Sequence, residues 1–467
     1  MTRESALAKK SDPASTVDVQ ETSPEVAPAE LVLVALTGPT AGTPLSLKWG
    51  GLAELVAGRD AECAIFLENA DVSRRHAAFR RKISDPSVYV ADLGSRNGTR
   101  VNGRPVQSAR LQENDVLRLG GSVFVVSESS GGFSEIAPGL LGGERLKRAL
   151  TSLETAAQSD LPIVLEGETG TGKEVVTRAI HAQSGRPGKL VAINCAALPE
   201  GLAEGELFGY RRGAFTGADR ASPGVFRSAE AGTLLLDEVS DLPLVLQAKL
   251  LRVLEQREVQ PLGESLPVPI DVRIVVAGQS SLLEAVKRLQ FRADLLARLS
   301  GVTLHLPPLR HRREDVLPLF THFLGELRPG GLPRLEPEFV ERLVAHDWPF
   351  NVREVLQLAR RLAVLQGTES VLRAQHLPRE VMFGAESSSP DVGGGAPRPS
   401  ATSPARAVLE ESPLVDLTRL MDALRRNRGN VTRASAELGI TRQRAYRLLE
   451  EQSVDLAELS GKRRPKR

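Results

Sequence analysis

Hydrophobic and polar positions change their spacing several times along this chain. Over residues 1–29, Ser, Pro, Ala, Glu and Thr follow one another without a period, which predicts a disordered segment. From Leu31-Val32-Leu33-Val34 to Val123-Phe124-Val125-Val126, short β-type runs are broken by Gly, Asn and Asp, so residues 30–128 are expected to form an all-β sandwich. A short joint at 129–138 begins with Ser129-Ser130-Gly131-Gly132. Over 139–308, helical segments alternate with the apolar strands Pro162–Glu166, Leu190–Asn194, Thr233–Asp237 and Val272–Ala277, the pattern of an α/β core. Residues 309–383 read as a helical lid, and 384–410 as a Pro/Gly/Ser-rich linker. Residues 411–456 are helical again, and 457–467 form a basic tail. The fold class expected is multidomain: an all-β sandwich, an α/β core with its helical lid, and an all-α unit.

Composition narrows the possible partners. The 467 residues suffice for about three domains. Lys+Arg 60 against Asp+Glu 58 leaves a net charge of +2, so any nucleic-acid contact must come from a local basic surface. Cys63 and Cys195 lie far apart and suggest neither a metal site nor a disulfide; both read as buried small hydrophobes. No apolar run is long enough to span a bilayer, and Met1-Thr2-Arg3-Glu4-Ser5 lacks the apolar core of a secretory signal. The expected location is cytoplasmic, with no membrane partner.

Three runs stand out in the middle of the chain. In Gly167-Glu168-Thr169-Gly170-Thr171-Gly172-Lys173, the glycines let backbone N–H groups wrap a phosphate chain and Lys173 neutralises it. The run lies between a predicted strand and a predicted helix, Glu174–His181, although the general pattern has Ser or Thr where this chain has Glu174. Leu234-Leu235-Leu236 ends in Asp237-Glu238. Beside a phosphate loop, the first carboxylate supports Mg²⁺ and the second orients or deprotonates the attacking water; alone, the pair is as readily a solvated strand end. Gly213-Ala214-Phe215-Thr216-Gly217-Ala218 has no chemistry of its own and reads as an exposed tip that touches another molecule.

Together these runs resemble the AAA+ domain of bacterial enhancer-binding proteins, the activators of sigma-54 RNA polymerase, almost continuously from Gly139 to Glu380. The resemblance implies an AAA+ α/β subdomain and lid using ATP and Mg²⁺. It places Gly167 to Lys173, Glu174, Gln279 and Arg353 at the nucleotide, with Asp237 holding the metal through ATP and Glu238 activating water. Asn194 would sense the nucleotide through Glu238, and Gly213 to Ala218 would contact sigma-54. Arg292 and Arg298, in Phe291-Arg292-Ala293-Asp294-Leu295-Leu296-Ala297-Arg298, would reach the γ-phosphate of a neighbouring subunit, where a fixed guanidinium suits the developing charge. A homo-oligomer follows, hexameric in the active ring and dimeric at rest. Three departures are visible. Gly278-Gln279 replaces Thr-Asn, Phe350 replaces Gly in Trp348-Pro349-Phe350-Asn351-Val352-Arg353-Glu354, and His311 replaces Glu. If the usual Gly serves a positive φ, Phe350 would strain its turn.

The terminal modules carry further resemblances. Gly58-Arg59, Ser73-Arg74-Arg75-His76 and Leu93-Gly94-Ser95-Arg96-Asn97-Gly98-Thr99 sit among short strands. The set resembles a forkhead-associated (FHA) domain, which binds phosphothreonine through charge-assisted hydrogen bonds. The resemblance implies that Arg59 and Ser73 contact phosphate, Arg74 and Arg96 support it, Asn97 holds the peptide backbone and His76 braces the loops. The implied partner is a phosphothreonine protein such as a Ser/Thr kinase, in two-component-like signalling. Near the other end, an Asn430-capped helix, the Gly439-Ile440 turn and a basic helix resemble a Fis-type helix-turn-helix. Thr441, Arg442, Gln443, Arg444 and Arg447 are its candidates for enhancer double-stranded DNA. The expected function is ATP-driven activation of sigma-54 RNA polymerase under phosphothreonine control. The rival is a phosphopeptide-controlled DNA-binding adaptor or repressor with weak or absent ATPase activity.

Overall fold

Alternation of apolar residues builds two facing sheets from the first part of the chain. In the computed structural model these are β1 (Val32–Ala35), β2 (Pro44–Ser46), β3 (Glu54–Gly58), β4 (Ile65–Phe66), β5 (Ala77–Lys82), β6 (Asp85–Asp92), β7 (Thr99–Val101), β8 (Arg104–Pro105), β9 (Ser108–Leu111), β10 (Val116–Leu119) and β11 (Ser122–Ser127). One sheet runs β2-β1-β11-β10-β7-β8, the other β4-β3-β5-β6-β9. Leu33, Phe79, Val90, Leu117 and Phe124 fill the space between them. The structure describes residues 31–383, apart from 40, 83, 84, 129, 130, 200 and 280, together with 424 and 426. The expected linker, basic tail and helix-turn-helix lie outside the described residues. The chain divides into the units Met1–Ser389 and Pro390–Arg467.

A hairpin, β12 (Ser134–Ala137) with β13 (Leu140–Gly142), leads to α1 (Glu144–Ala149) and α2 (Leu153–Gln158). The α/β core follows: β14 (Ile163–Glu166), α3 (Lys173–Gln183), β15 (Leu190–Asn194), α4 (Ala203–Phe208), α5 (Gly224–Ser228), β16 (Thr233–Asp237) and α6 (Leu244–Gln256). A short hairpin, β17 (Glu258–Val259) with β18 (Val268–Pro269), precedes β19 (Arg273–Gly278), α7 (Leu282–Lys287), α8 (Ala293–Leu299) and β20 (Val302–His305). The five core strands pair in parallel in the order β15-β16-β19-β14-β20. Helices cover both faces, which is why Leu234, Leu235 and Leu236 are all apolar rather than alternating. The expected strand Val272–Ala277 is shifted by one residue, and the expected helix Glu174–His181 extends to Lys173–Gln183.

Helices α9 (Val316–Leu327), α10 (Pro337–Ala345), α11 (Asn351–Leu365) and α12 (Arg379–Phe383) form the next layer, with the short parallel pair β21 (Arg334–Leu335) and β22 (Val371–Leu372). Phe320, Phe339 and Trp348 are buried at its centre. Leu36, Val116, Val123 and Val125, from the outer face of the six-stranded sheet, belong to the same apolar cluster. Strand β11 is therefore buried along its whole length, packed on the sandwich core on one side and on these helices on the other. Among the described residues no helix is long and apolar enough to cross a membrane.

Candidate functional site

Parallel pairing brings the carboxyl ends of the core strands to one edge, where open α/β sheets bind ligands. Strand β14 delivers the phosphate loop there, and β16 delivers Asp237 directly across from Asn194 at the end of β15. Gln279 follows β19. Gly170 and Gly172 have φ of +79° and +109°, and a Cβ on Gly170 would stand 2.2 Å from the Phe350 carbonyl oxygen. Glycine is thus required where the lid meets the loop. Lys173 Nζ donates to the Gly167 and Glu168 carbonyls at 2.6 and 3.3 Å. Burial lowers the pKa of this ammonium against the opposing pull of Glu238 and Asp237. Glu174 points away and pairs with Arg178 at 2.6 Å.

Glu238 lies in the left-handed region, at φ 52° and ψ 48°. A non-glycine residue there stores strain of the kind that clusters at reactive positions. With Asp241 and Gln279 it lines a cavity of about 610 Å³. Asp237 Oδ1 is buried and has no partner among the described residues. An acceptor-only oxygen left unpaired beside Lys173 and Glu238 fits a cation shared with phosphate oxygens. No group of three or more His, Cys, Asp or Glu side chains placed to hold a metal ion occurs among the described residues. Asn194 Oδ1 accepts from the Ala196 amide at 2.9 Å, which fixes its side chain at the strand end. Burial pushes the neighbouring Cys195 thiol up to about 12, so it is inert. Cys63, expected to be buried, is only half-buried: it lies in the bend between β3 and the edge strand β4, where its Sγ donates to the Arg74 carbonyl at 3.3 Å.

The lid closes on the loop through contacts that the sequence did not reveal. Asn351, fully buried at φ 52°, accepts from Leu309 N at 2.7 Å and donates to Thr169 O at 3.0 Å and Glu168 at 3.2 Å. Val352 N donates to Gly170 O at 2.9 Å, and the exposed Arg353 follows on the same turn. Arg310 grips Glu168 with two hydrogen bonds, which hold that carboxyl below its usual range. The expected strain at Phe350 is absent. Its φ is −106°, and the left-handed positions are its neighbours Trp348 and Asn351. Arg292 pairs with Asp294 at 2.7 Å, and Arg298 donates to the Leu254 carbonyl at 3.2 Å. The structure thus gathers the phosphate loop, Asn194, Asp237, Glu238 and Gln279 at one edge, whereas Arg292 and Arg298 sit on and beside α8.

Two other surfaces stand apart from that edge. Tyr210 and Ser222 exchange backbone hydrogen bonds at 2.9 Å and form the neck of a loop whose tip holds Phe215 and Thr216. Gly213 N donates to Ala218 O, while a Cβ added to Gly213 or Gly217, at φ +77° and +99°, would meet nothing within 4 Å. Ala214 is half-buried and Ala218 buried, so Phe215 and Thr216 are the exposed side chains. On the sandwich, Arg59, Arg74, Arg96 and Asn97 are exposed around a half-buried Ser73. Arg96 N donates to Ser73 Oγ at 3.0 Å, and Asn97 Nδ2 donates to Asp71 O at 2.7 Å. His76 is buried and braces both loops: Ser73 N donates to its Nδ1 at 3.1 Å and its Nε2 lies 3.1 Å from Gly98 O. Gly58 admits no Cβ, which would lie 2.0 Å from Arg74 O.

Comparison with known proteins accounts for this arrangement. Residues 55–120 match the FHA domain family, 141–305 the sigma-54 interaction domain, 310–392 an AAA+ ATPase lid domain and 413–448 the bacterial regulatory protein, Fis family. The chain is 38% identical over 318 residues to the probable regulatory protein HrpS of Pseudomonas syringae pv. syringae, covering 67% of this chain and 97% of that one. It is 39% identical to the regulatory protein AtoC of Escherichia coli over 65% of each chain. Among solved structures, NtrX from Brucella abortus in complex with ATP matches at 30% identity and a TM-score of 0.48, over 68% of this chain and 69% of that one.

Proposed function

The chain belongs to the family of sigma-54-dependent transcriptional regulators, with an FHA domain, an AAA+ domain and a Fis-type helix-turn-helix, and we propose that it is an ATP-driven activator under phosphothreonine control. The observation that carries this reading is the edge where the phosphate loop, an unpaired Asp237 oxygen and a strained Glu238 meet. Lys173 and the loop amides bind the phosphates. Asp237 would hold Mg²⁺, which supplies charge neutralisation on the phosphoryl oxygens. Glu238 orients and deprotonates water, and Asn194, one strand away, keeps it poised. Arg292 and Arg298 act on a neighbouring subunit's nucleotide in a hexameric ring.

Work leaves the ring through Phe215 and Thr216, which contact sigma-54 in some nucleotide states only. Thr441, Arg442, Gln443, Arg444 and Arg447 bind enhancer DNA. Arg59 and Ser73 bind the phosphate of a phosphothreonine protein, supported by Arg74 and Arg96, while Asn97 holds its backbone. The test is steady-state ATPase activity of the full chain, with and without enhancer DNA. Turnover abolished by Glu238→Gln supports the activator. Absence of turnover in the natural chain supports the adaptor or repressor instead.

A further inference from the structure

The six-stranded sheet turns an apolar outer stripe, Val116, Val123 and Val125, onto the lid. A sandwich that only presented binding loops would have a polar outer face there. Among the described residues, one ion pair crosses this contact. Arg118, on β10, donates from Nη1 to Glu341 on α10 at 2.9 Å, and Glu341 is 2% exposed. The same guanidinium donates from Nε to Gly120 O at 2.7 Å. Gly120 N in turn donates to Gly98 O at 3.2 Å, the carbonyl that His76 also contacts. A Cβ on Gly120 would stand 2.2 Å from Asp71 O, the acceptor of the Asn97 side chain. Gly120 is therefore wedged against the loops that hold Ser73 and Asn97.

Beyond Glu341 the path continues through close contacts. Trp348 Nε1 donates to Leu343 O in α10 at 3.1 Å, and three residues later Asn351 bonds Thr169 and Glu168 of the phosphate loop. We propose that Arg118 is a relay: it ties the phosphothreonine loops, through Gly120, to Glu341 and so to the lid turn that grips the phosphate loop. This rests on the phosphothreonine reading given above. Arg118 touches neither ligand and acts by position. Its signature is a coupling between two binding equilibria, which linkage requires to be equal in both directions.

The experiment uses the full-length chain, fluorescently labelled ADP and a pool of phosphothreonine peptides with randomised flanks. The dissociation constant of each ligand is measured with and without the other. In the natural chain each should change the other's affinity by the same factor, about fivefold or more, the usual size of allosteric coupling. The double variant Arg118→Met, Glu341→Leu removes the pair without leaving a lone buried carboxylate, so folding survives. Both ligands should still bind it, with the coupling reduced to less than about twofold. Arg118→Lys keeps the charge for Glu341 but cannot also hold Gly120, so its factor should be intermediate. A double variant with full coupling, or a natural chain that binds both ligands independently, overturns the relay while the phosphothreonine reading stands. Failure of the natural chain to prefer phosphorylated over unphosphorylated peptides overturns that reading, and the relay with it.

Discussion

In the proposed function, single residues at the nucleotide edge divide the labour of catalysis, and their variants should fail differently. Lys173→Ala removes the ammonium that bonds the loop carbonyls and faces Asp237 and Glu238, so nucleotide binding itself should weaken. Glu238→Gln keeps the volume of the side chain and loses its basicity. Binding should persist while hydrolysis falls by roughly 10²–10⁴, the usual contribution of a positioned base. Equilibrium nucleotide binding and single-turnover hydrolysis on the two variants separate these outcomes, and normal turnover by the glutamine variant would remove Glu238 from the chemistry. On the sandwich, Arg59→Ala should weaken phosphothreonine binding about tenfold or more, since a hydrogen bond to a charged group contributes roughly 1.5–3 kcal/mol. Calorimetry on the full chain with matched phosphorylated and unphosphorylated peptides checks it. These residues were legible because each sits in a short ordered run. Arg310, Arg312 and Asn351 were not. Their partners are Glu168, Thr171 and Thr169, more than a hundred positions away, and only the closed lid brings them together.

At the scale of elements, the Gly213–Ala218 loop and the Trp348–Asn351 turn make opposite cases. The loop has an exposed tip on a bonded neck, as its glycine-flanked sequence suggested. Thr216→Ala should leave ATPase activity intact and abolish promoter activation; undiminished activation would show that the loop does not couple hydrolysis to sigma-54. The turn defied its sequence. Phe350 takes an ordinary φ because Trp348 and Asn351 carry the left-handed conformations, so a bulky residue costs nothing there. Asn tolerates that region better than Ala does. Asn351→Ala should therefore destabilise the chain by on the order of 3 kcal/mol, combining lost buried hydrogen bonds with the backbone penalty. Urea denaturation measures this loss. The run Val123–Val126 held another signal. Four consecutive apolar residues imply a strand covered on both faces, and the second cover is the lid.

At the largest scale, the sandwich and the AAA+ domain of the unit Met1–Ser389 join around a buried charge cluster. Glu113 pairs with Arg145 of α1, and Asn114 O accepts from Arg313 at 3.1 Å, so one turn of the sandwich touches both halves of the AAA+ domain. Beneath it lie Glu314, Asp315 and the fully buried Arg312, whose Nη2 donates to Thr171 O. Burial, reinforced by Asp315, pushes the Glu314 carboxyl up to about 7, against the weaker pull of Arg145 and Arg312. Between its ordinary value of 4.5 and about 7, the folded chain holds a proton that the unfolded chain releases. Glu314 therefore contributes less stability as pH rises through that window. Glu314→Gln, which cannot ionise, should gain on the natural chain by on the order of 2 kcal/mol between pH 5 and pH 8. Parallel thermal melts across that range test it, and a constant difference would contradict the burial argument.

The central claim is that ATP hydrolysis by this chain remodels sigma-54 RNA polymerase. The most direct measurement is open-complex formation on a sigma-54 promoter carrying the protein's enhancer, followed by the reactivity of unpaired thymines. The account predicts open complexes with the natural chain and ATP, and none with ADP, with Glu238→Gln or with Thr216→Ala. Open complexes that form equally well with Glu238→Gln, or no ATP-dependent opening by the natural chain, would contradict it.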